Sequence, residues 1–548
     1  MWNWKSLKSN FMKKCWRCIF TTAVVAVIFC LANSSVLYAQ NSVSNGGQSR
    51  LSEKVNKLGQ TLYFINRLYL DTVNMDKLTD NALAAIMKEL DPHSSYISAK
   101  DMQAMNEPLE GNFDGIGVEF ALINDTLTIN STIPGGPSEK VGIRAGDKIV
   151  KVDDEVIAGT GLTIERVHGY LRGPKGSKVK VEVIRRDVAQ PLVFLIIRDK
   201  IPLNSIDSYY TIDGDIVYLR VTRFAATTYK EMLMALKELG VTPKGIVLDF
   251  RGNPGGYLVA AIQVANEFLD KDQLIVFTEG RTVQRMQENA NGYGLLKNIP
   301  VAVLIDENSA SASEIVAGAI QDWDRGVIIG RRSFGKGLVQ QQIPLQDGSA
   351  IRLTVSRYHT PSGRVIQSPY EQGKKDEYYQ QLIERYNRGE SFSSDSIHFP
   401  DSLKFKTLKK GRIVYGGGGI MPDIFIPQDT SYYTPFYGEI LRKGLLTDYM
   451  NEFSDSNRDK ILKKYPKVGQ FVSKYNVSDK DIDAFLAYCK KHATEPKEGD
   501  MEISGNEIRK YFKGLIIRSV YSFNNFIEFL NRDDREVLKA VEVLKRYQ

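Results

Sequence analysis

Helix and strand patterns alternate through the middle of the chain, from about residue 200 to 428. Short apolar runs rich in β-branched residues, such as "GIVLDF", "VAVLI" and "GVIIG", are typical of buried strands. Stretches with helical spacing separate them, among them "TYKEMLMALKEL", "LVAAIQVANEFL" and "SASEIVAGAIQDW". This alternation predicts an α/β layer fold.

The regions around this core have other patterns. Residues 50–105 show helical spacing and end at "DPHSSY", whereas residues 108–200 contain strand segments separated by Gly/Pro turns. A polar insert at 371–408 is expected to be a solvated excursion from the core at 201–428. The charged, helix-patterned region 430–548 shows no chemical motif, so we expect it to serve in packing or oligomerisation.

The first 39 residues have the pattern of an export leader. Five basic residues and no acidic residue precede or flank the apolar run "CIFTTAVVAVIFCLA", and small residues lead to a cleavage site after Ala39. We therefore expect a signal peptide at 1–39 and an exported, periplasmic protein, with an uncleaved membrane anchor as the alternative. A lipidated Cys30 is disfavoured, because "VIFC" lacks the small residues that precede such a cysteine.

Loss of the leader changes the charge and the cysteine content. Without its five basic residues the formal net charge falls from +7 to +2, which gives no reason to expect a nucleic-acid partner. Three of the four cysteines lie in the leader, so the mature chain keeps Cys489 and forms no intramolecular disulfide. Its stability must come from apolar cores, for which 43% hydrophobic content over this length suffices.

Candidate chemistry is concentrated at two corners of the α/β region. In "DENSASASEIVAGAI" Ser309, Ser311 and Ser313 crowd a strand-to-helix turn, where helix amides favour a developing oxyanion. The alternative is that these serines only cap the helix. The turn "DFRGNPGG" presents bare backbone at Gly255 and Gly256, or is an ordinary strand-to-helix turn.

The stretch "GRRSFGKG" matches most of a nucleotide-binding P-loop but fails at two points. Gly337 stands where the Mg²⁺-binding Ser or Thr should follow Lys336, and the next segment, "LVQQQIPL", predicts a strand rather than a helix. No nucleotide is therefore expected, and Lys336 needs another role.

A serine nucleophile requires a base, and of the five histidines only His359 is placed near the candidate site. The other route is a desolvated lysine, and Lys336 lies between the apolar residues Phe334 and Leu338. On a strand, Lys336 and Gln340 would project to one face, so that Gln340 could orient the amine. No HExxH motif or Cys/His cluster suggests a metal, and no cofactor is expected.

These motifs together resemble the carboxyl-terminal processing proteases, also called tail-specific proteases, which are Ser/Lys endopeptidases. The resemblance rests on motifs in the family's order: "ELDPHSSY", "GIGV", "RAGDKIVKVD", "LDFRGNPGG", "SASASEI", "FGKGLVQ", "YHTPSGR" and "YGGGGIMPD". It implies a multidomain fold with a crotonase/Clp-protease-like α/β protease core at 201–428 and a β-rich PDZ domain at 108–200. N-terminal helices and a C-terminal helical extension complete it, although the extension is not part of the family's shared core.

The resemblance also implies catalytic roles. Ser311 would be the nucleophile, Lys336 the general base and Gln340 the residue that orients the lysine. The oxyanion hole would use the backbone amide of Ala312 and an amide of the Gly255–Gly256 turn.

The implied PDZ domain would recognise the substrate. Its "GIGV" loop would present amides to a C-terminal carboxylate while the adjoining strand pairs with the peptide, and the loop residues are Gly115, Ile116, Gly117 and Val118. Arg172 resembles a basic residue that relatives use near the ligand or active site, with a solvated surface role as the alternative.

The function implied is that of an exported serine endopeptidase acting on polypeptides with exposed C-termini. Homo-oligomerisation and an adaptor protein are further partnerships that the sequence leaves open. The alternative function is a catalytically silent PDZ scaffold, or a peptide-binding factor, on a protease fold.

Overall fold

The computed structural model describes residues 45–186 and 188–547, so the predicted leader lies outside the described residues. The chain divides into two compact units, Met1–Leu83 and Ala84–Gln548. In the part of the chain that is described, no helix is both long and apolar enough to cross a membrane. The first elements are α1 (Asn45–Leu68), α2 (Met75–Lys88), which contains the unit boundary, β1 (Ser95–Ile97) and α3 (Ala99–Glu110).

A small β-rich body comes next in the chain. Its elements are β2 (Asn112–Gly115), β3 (Val118–Ile123), β4 (Thr126–Thr132), α4 (Pro137–Val141), β5 (Lys148–Val152), β6 (Glu155–Val156), α5 (Ile164–Leu171), β7 (Lys178–Ile184), β8 (Leu192–Ile197) and β9 (Asp199–Pro202). The main sheet has the order β3–β4–β5–β7–β8, with β6 beside β5, and β2 pairs separately with β9. β3 therefore lies at the edge of this antiparallel sheet.

The α/β region begins with strands and helices in alternation. Its elements are β10 (Ile206–Ile212), β11 (Ile216–Val221), α6 (Thr228–Leu239), β12 (Gly245–Asp249), α7 (Leu258–Asn266), β13 (Leu274–Glu279), β14 (Met286–Asn289), β15 (Val301–Ile305), α8 (Ala312–Asp322), β16 (Val327–Gly330), β17 (Leu338–Pro344) and β18 (Ala350–His359). The polar insert and the segment after it contribute α9 (Lys375–Asn387), two short 3₁₀ turns, β19 (Lys404–Lys406), β20 (Ile413–Tyr415) and β21 (Ile424–Phe425).

The central sheet has the order β10–β11–β12–β15–β16–β21, parallel from β11 onward. Its strands read as unbroken apolar runs because both faces are buried. In β11, for example, Val217 and Leu219 point into the core that α6, α7 and α8 cover, whereas Ile216 and Tyr218 point into the opposite core. A second sheet, β1–β18–β13–β14 with β17 on β18, lies beside it.

The C-terminal extension covers that opposite face of the central sheet. Its helices are α10 (Pro435–Arg442), α11 (Leu445–Lys464), α12 (Val468–Lys474), α13 (Asp479–Lys491), α14 (Asp500–Val520), α15 (Phe523–Leu530) and α16 (Arg535–Lys545). Residues such as Phe436, Phe512 and Leu544 share one buried cluster with Tyr218 and Leu304 of the sheet. The extension thus completes the core of the α/β region, which fits a packing role.

Candidate active site

Three loops meet at the carboxyl edge of the parallel strands. The glycine turn (residues 250–257) follows β12, the serine turn (residues 306–314) follows β15, and the lysine loop (residues 331–340) follows β16. Because β15 lies between β12 and β16, the serine turn is flanked by the other two loops. Ligands of α/β sheets bind at this edge.

Ser311 occupies a strained position at the start of α8. It is the N-cap residue and has φ 55° and ψ −112°, a backbone conformation that residues other than glycine seldom adopt. Such a turn from strand to helix projects the side chain away from the sheet, as in the nucleophile elbow of α/β-hydrolases. Of the three serines in the motif, Ser311 is partly exposed, whereas Ser309 and Ser313 are fully buried.

The two buried serines hold the serine turn against its neighbours rather than cap the helix. Ser309 Oγ donates to the carbonyl of Phe250 at 2.8 Å and accepts from the amide of Asp306 at 2.9 Å. Ser313 Oγ donates to the carbonyl of Asn253 at 3.1 Å. Both serines therefore fix the serine turn to the glycine turn.

The glycine turn presses its backbone directly against Ser311. A Cβ atom on Gly255 would lie 2.7 Å from Ser311 Cβ and 3.0 Å from the amide nitrogen of Ala312, and φ at Gly255 is +101°. The buried Asn253 side chain accepts the Gly255 amide at 2.8 Å. Within the described residues the amides of Gly256 and Ala312 donate no hydrogen bond, so these two remain available to an oxyanion.

Lys336 and Gln340 come together in the lysine loop. Lys336 Nζ donates to Gln340 Oε1 at 3.2 Å, and Gln340 Nε2 is buried without a partner among the described residues. Burial lowers the pKa of the Lys336 ammonium below its ordinary value of 10.5, and the nearby Arg352 acts in the same direction. Within the described part of the chain, no hydrogen bond joins the Lys336 amine to the Ser311 hydroxyl.

The geometric reason given for this pairing from sequence was wrong. Lys336 precedes β17, which begins at Leu338, and a β-bulge interrupts the ladder between Val339 and Gln340. The two side chains meet because the loop before the strand and the bulge within it redirect the backbone. The alternation of side-chain direction that holds along a regular strand does not apply across such a segment.

Glu314 links the serine turn to the lysine loop and was not identified from the sequence. Its fully buried carboxylate accepts from the amides of Ser311 (2.8 Å), Gly335 (2.7 Å) and Lys336 (2.9 Å), and from Ser333 Oγ (2.5 Å). Burial raises the pKa of Glu314 to about 7, while the four donors lower it. All four partners are donors, so the ionised carboxylate suits the site. A glutamate three residues after an N-cap serine was the available signal.

Tyr358 of β18 makes a second link between the loops. Its buried hydroxyl lies 2.5 Å from the carbonyl of Lys336 and 3.2 Å from the carbonyl of Ser311. Ser311 and Lys336 are therefore held together through their backbones, by one carboxylate and one phenol.

The lysine loop does not have the form of a phosphate-binding loop. Its amides are already engaged: those of Gly335 and Lys336 by Glu314, and that of Gly337 by Gln367 Oε1 at 2.8 Å. The segment after the loop forms strand β17, as predicted. Among the residues that the structure describes, no group of His, Cys, Asp and Glu side chains is arranged to hold a metal ion.

The "GIGV" loop connects β2 to the edge strand β3. Within the described residues the amides of Ile116 and Gly117 donate no hydrogen bond, while the carbonyl of Ile116 accepts from Ser138. Phe120 of β3 and His168 of α5 form an edge-to-face ring pair with centroids 6.0 Å apart. The loop thus offers two open amides beside an edge strand.

Arg172 lies at the end of α5, and among the described residues no hydrogen bond or ion pair joins its side chain to this loop or to the lysine loop. Its Nη1 donates to Glu107 Oε2 at 2.6 Å, and its guanidinium stacks over Phe113 at 4.7 Å. In this structure the side chain joins the β-rich body to α3.

Three parts of the chain match known protein families. Residues 215–373 match the model of peptidase family S41, residues 128–185 match the PDZ domain, and residues 436–522 match a family of unknown function. A carboxy-terminal-processing protease of Bartonella bacilliformis is 39% identical over 349 residues, which cover 63% of this chain and 79% of the relative. The chain belongs to the carboxy-terminal processing protease family.

A second relative and a solved structure also match the chain. The carboxy-terminal processing protease CtpA of Bacillus subtilis is 34% identical over 353 residues, covering 64% of this chain and 73% of the relative. A solved photosystem II D1 C-terminal processing protease is 28% identical and covers 56% of this chain and 89% of its own, with a TM-score of 0.32. The predicted family and fold class are confirmed, and the protein is a serine-type peptidase.

In this carboxy-terminal processing protease the histidine close to the lysine is His93, not His359 as expected. His359 points to the far face of β18, where its ring stacks on Phe277 at 4.4 Å, because neighbours in a strand alternate. Burial, followed by the charge of Lys336, lowers the pKa of His93 to about 4.

The turn "DPHS" holds His93 in place. Asp91 accepts from the amides of His93 and Ser94 and from Thr354 Oγ1 of β18. The His93 ring packs edge-on against Tyr378 with centroids 5.2 Å apart, and its Nε2 is buried without a partner in the described part of the chain. The position of His93 beside Lys336 could not be predicted, because the "DPHS" turn precedes the α/β region by about a hundred residues in the sequence.

The polar insert is also placed differently from the expectation. Its helix α9 packs on the lysine loop, with Tyr378 buried and the Arg385 guanidinium donating to the carbonyls of Arg332, Ser333 and Phe334. The prediction of a solvated excursion was wrong because a few buried side chains on a largely polar helix suffice to anchor it. The polar insert of this protease thus packs against the lysine loop.

Proposed function

We propose that this protein is a Ser/Lys endopeptidase in which Ser311 is the nucleophile, Lys336 the general base and Gln340 the group that orients the lysine. The observation that carries the proposal is the partly buried Lys336 amine, whose pKa is lowered. Glu314 ties its loop to the strained turn of Ser311, which is the accessible serine of the three in the motif. Desolvation favours the neutral amine that a base requires.

In the proposed reaction the Ser311 hydroxyl attacks the scissile carbonyl and transfers its proton to the neutral Lys336 amine. The tetrahedral oxyanion accepts hydrogen bonds from the amides of Gly256 and Ala312. Collapse expels the amine half of the substrate, which takes the proton from Lys336, and leaves an acyl-enzyme on Ser311. Water, deprotonated by Lys336, then hydrolyses that ester.

A protease assay tests this proposal against the silent-scaffold alternative. The wild-type protein should degrade β-casein, and Ser311→Ala should lose this activity because no acyl-enzyme forms. Equal degradation by both proteins would refute the Ser311 assignment, and no degradation by either would favour the scaffold.

We further propose that the PDZ domain captures the C-termini of its polypeptide substrates. The open amides of Ile116 and Gly117 and the edge strand β3 support this mode, in which a carboxylate meets amides and the peptide adds a strand. A free-acid peptide should bind the full-length Ser311→Ala protein more tightly than its C-terminal amide. Equal affinities would contradict this mode.

Export is proposed from the leader pattern, with cleavage after Ala39. N-terminal sequencing of the protein from cells should find Gln40 at or near the start. Recovery of residues 1–30 on the cellular protein would instead support an anchored form.

A further inference from the structure

The C-terminal extension reaches the catalytic loops as well as the central sheet. Helix α16 packs Val537, Val541 and Leu544 into the core on the sheet's second face. Its N-terminus lies at the carboxyl edge of the parallel strands, where Asp534 caps the helix by accepting from the amides of Glu536 and Val537. The first turn of α16 therefore stands beside the loops that form the active site.

One carboxylate in that turn bridges two of these loops. Glu536 Oε2 accepts from Arg251 Nη1 at 2.5 Å, and Glu536 Oε1 accepts from Arg331 Nη1 at 2.5 Å. Arg251 belongs to the glycine turn, just before Gly255, and Arg331 begins the lysine loop that carries Lys336. The extension thus bonds to both loops near their starts.

The bridge is buried and spans the serine turn. The side chains of Glu536, Arg331 and Arg251 are 7%, 13% and 19% exposed. β12 and β16 flank β15, so the loops they feed start about 10 Å apart, twice the spacing of neighbouring strands. Charge-assisted bonds at such low exposure are strong and directional. They fix the distance between the two loops, with the serine turn between them.

Other contacts keep each arginine paired without Glu536. Arg251 also bonds to Asp249 and Asp534, and Arg331 bonds to Glu307 at 2.8 Å. Neutralising Glu536 therefore removes the shared link but leaves no arginine without a carboxylate. This makes the link testable without removing every partner of a buried charge.

We propose that the extension is a working part of the catalytic centre, and that Glu536 is a positioning residue that sets the separation of the glycine turn and the lysine loop. This inference rests on the proposed function, because it assigns Glu536 a role only through the oxyanion amides and Lys336. Glu536 contacts neither substrate nor the reacting atoms. Its loss should slow the chemical step and leave substrate capture unchanged.

The test compares Glu536→Gln with Asp479→Asn in the full-length protein. Asp479 forms an ion pair with Arg509 at 2.5 Å on the surface of the same extension, away from the loops. For each variant, kcat and KM on a peptide substrate are measured per folded enzyme, with the folded fraction taken from circular dichroism. Glu536→Gln should lower kcat by roughly ten- to a hundred-fold at unchanged KM, because misplacement of catalytic groups acts on the transition state. Asp479→Asn should match the wild type.

Three outcomes separate this inference from the function on which it rests. A wild-type kcat in folded Glu536→Gln, with Ser311→Ala inactive, would overturn the inference alone. Activity of Ser311→Ala would overturn both. If Glu536→Gln does not fold, Glu536→Asp decides the question, since its shorter side chain keeps the charge but cannot span both arginines. It should show a reduced kcat at unchanged KM, and a wild-type kcat would overturn the inference.

Discussion

The serine turn and the lysine loop leave neighbouring strands of one sheet but are held by different means. The serine turn is fixed locally, by the regular helix α8 that starts at once and by the bonds of Ser309 and Ser313 to the adjacent glycine turn. The lysine loop has no regular structure between β16 and β17. Its amides bond to Glu314 and Gln367, and α9 covers its outer side.

The difference shows how the proposed nucleophile and the proposed base place different demands on the fold. The nucleophile needs one strained residue on a rigid corner, which adjacent elements supply. The proposed base needs a desolvated amine, and burial lowers the pKa of Lys336. The "DPHS" turn, the polar insert and β18 all lie against the lysine loop. Changes at Gly255 should therefore act first on Ser311 and the neighbouring amides, whereas Lys336 should also respond to residues far away in the sequence.

The largest effect should come from crowding the serine turn locally. In Gly255→Ala the new Cβ would lie 2.7 Å from Ser311 Cβ, so the serine or the oxyanion amides must shift, and kcat/KM should fall by roughly 10²–10³-fold. Gly252→Ala is the matched control, because Gly252 has φ +69° in the same turn but open space around its Cβ position. Equal activities of the two variants in a peptide assay would mean that the close approach of Gly255 to Ser311 does not matter for catalysis.

Removing the link between the two loops should have the next largest effect. In Glu314→Gln the amide NH₂ group must face two of the four donors, so kcat per folded enzyme should fall by roughly 10–10²-fold. Glu267→Gln is the control: Glu267 is a buried carboxylate bonded to Tyr229 and Leu295, outside the three loops. If both variants lose only stability in chemical denaturation and keep kcat, Glu314 has no positioning role.

His93, which lies beside the lysine loop but far from it in the sequence, should make the stability of the protein depend on acid. The pKa of His93 is about 4 in the folded protein against an ordinary 6.5, so the unfolded chain binds more protons between these values. The free energy of unfolding should therefore fall as pH drops from 6.5 toward 4, by about 1–3 kcal/mol from this group. His93→Phe, which keeps a ring against Tyr378, should lose this component in urea titrations. An unchanged pH slope would show that His93 is not buried in its neutral form.

The smallest effect on catalysis should come from the buried serines. Ser313→Ala and Ser309→Ala should each destabilise the protein by about 0.5–2 kcal/mol, because their bonds to the glycine turn are lost. Their kcat per folded enzyme should stay near that of the wild type. A hundred-fold loss of kcat in either variant would assign it more than a structural role.

The contrast between the two loops also explains which features could be predicted from the sequence and which could not. The alternation of strands and helices, and the strand after Lys336, follow from local patterns, and the structure has them. The role of Ser311 as the helix N-cap is likewise a property of adjacent residues. The positions of His93 and Tyr378 beside the lysine loop depend on contacts between segments far apart in the chain, and no local pattern encodes them.

The bonds of Glu536 to both loops could not be predicted from the sequence, for the same reason. Its arginine partners stand in motifs that read as turns, and the glutamate lies in a region whose pattern indicates only amphipathic helices. Ion pairs between residues that lie hundreds of positions apart in the sequence can be identified only once the fold is known.

The proposed role of Lys336 as the neutral base for Ser311 is tested by the pH dependence of Ser311 phosphonylation. With a fluorophosphonate probe, the second-order rate constant of the wild type should rise with pH with a midpoint below 10.5, because burial favours the neutral amine. Lys336→Arg should be as unreactive as Lys336→Ala, since a guanidinium keeps its proton. Substantial phosphonylation of Lys336→Arg, or a wild-type rate that does not change with pH, would show that Lys336 is not the base.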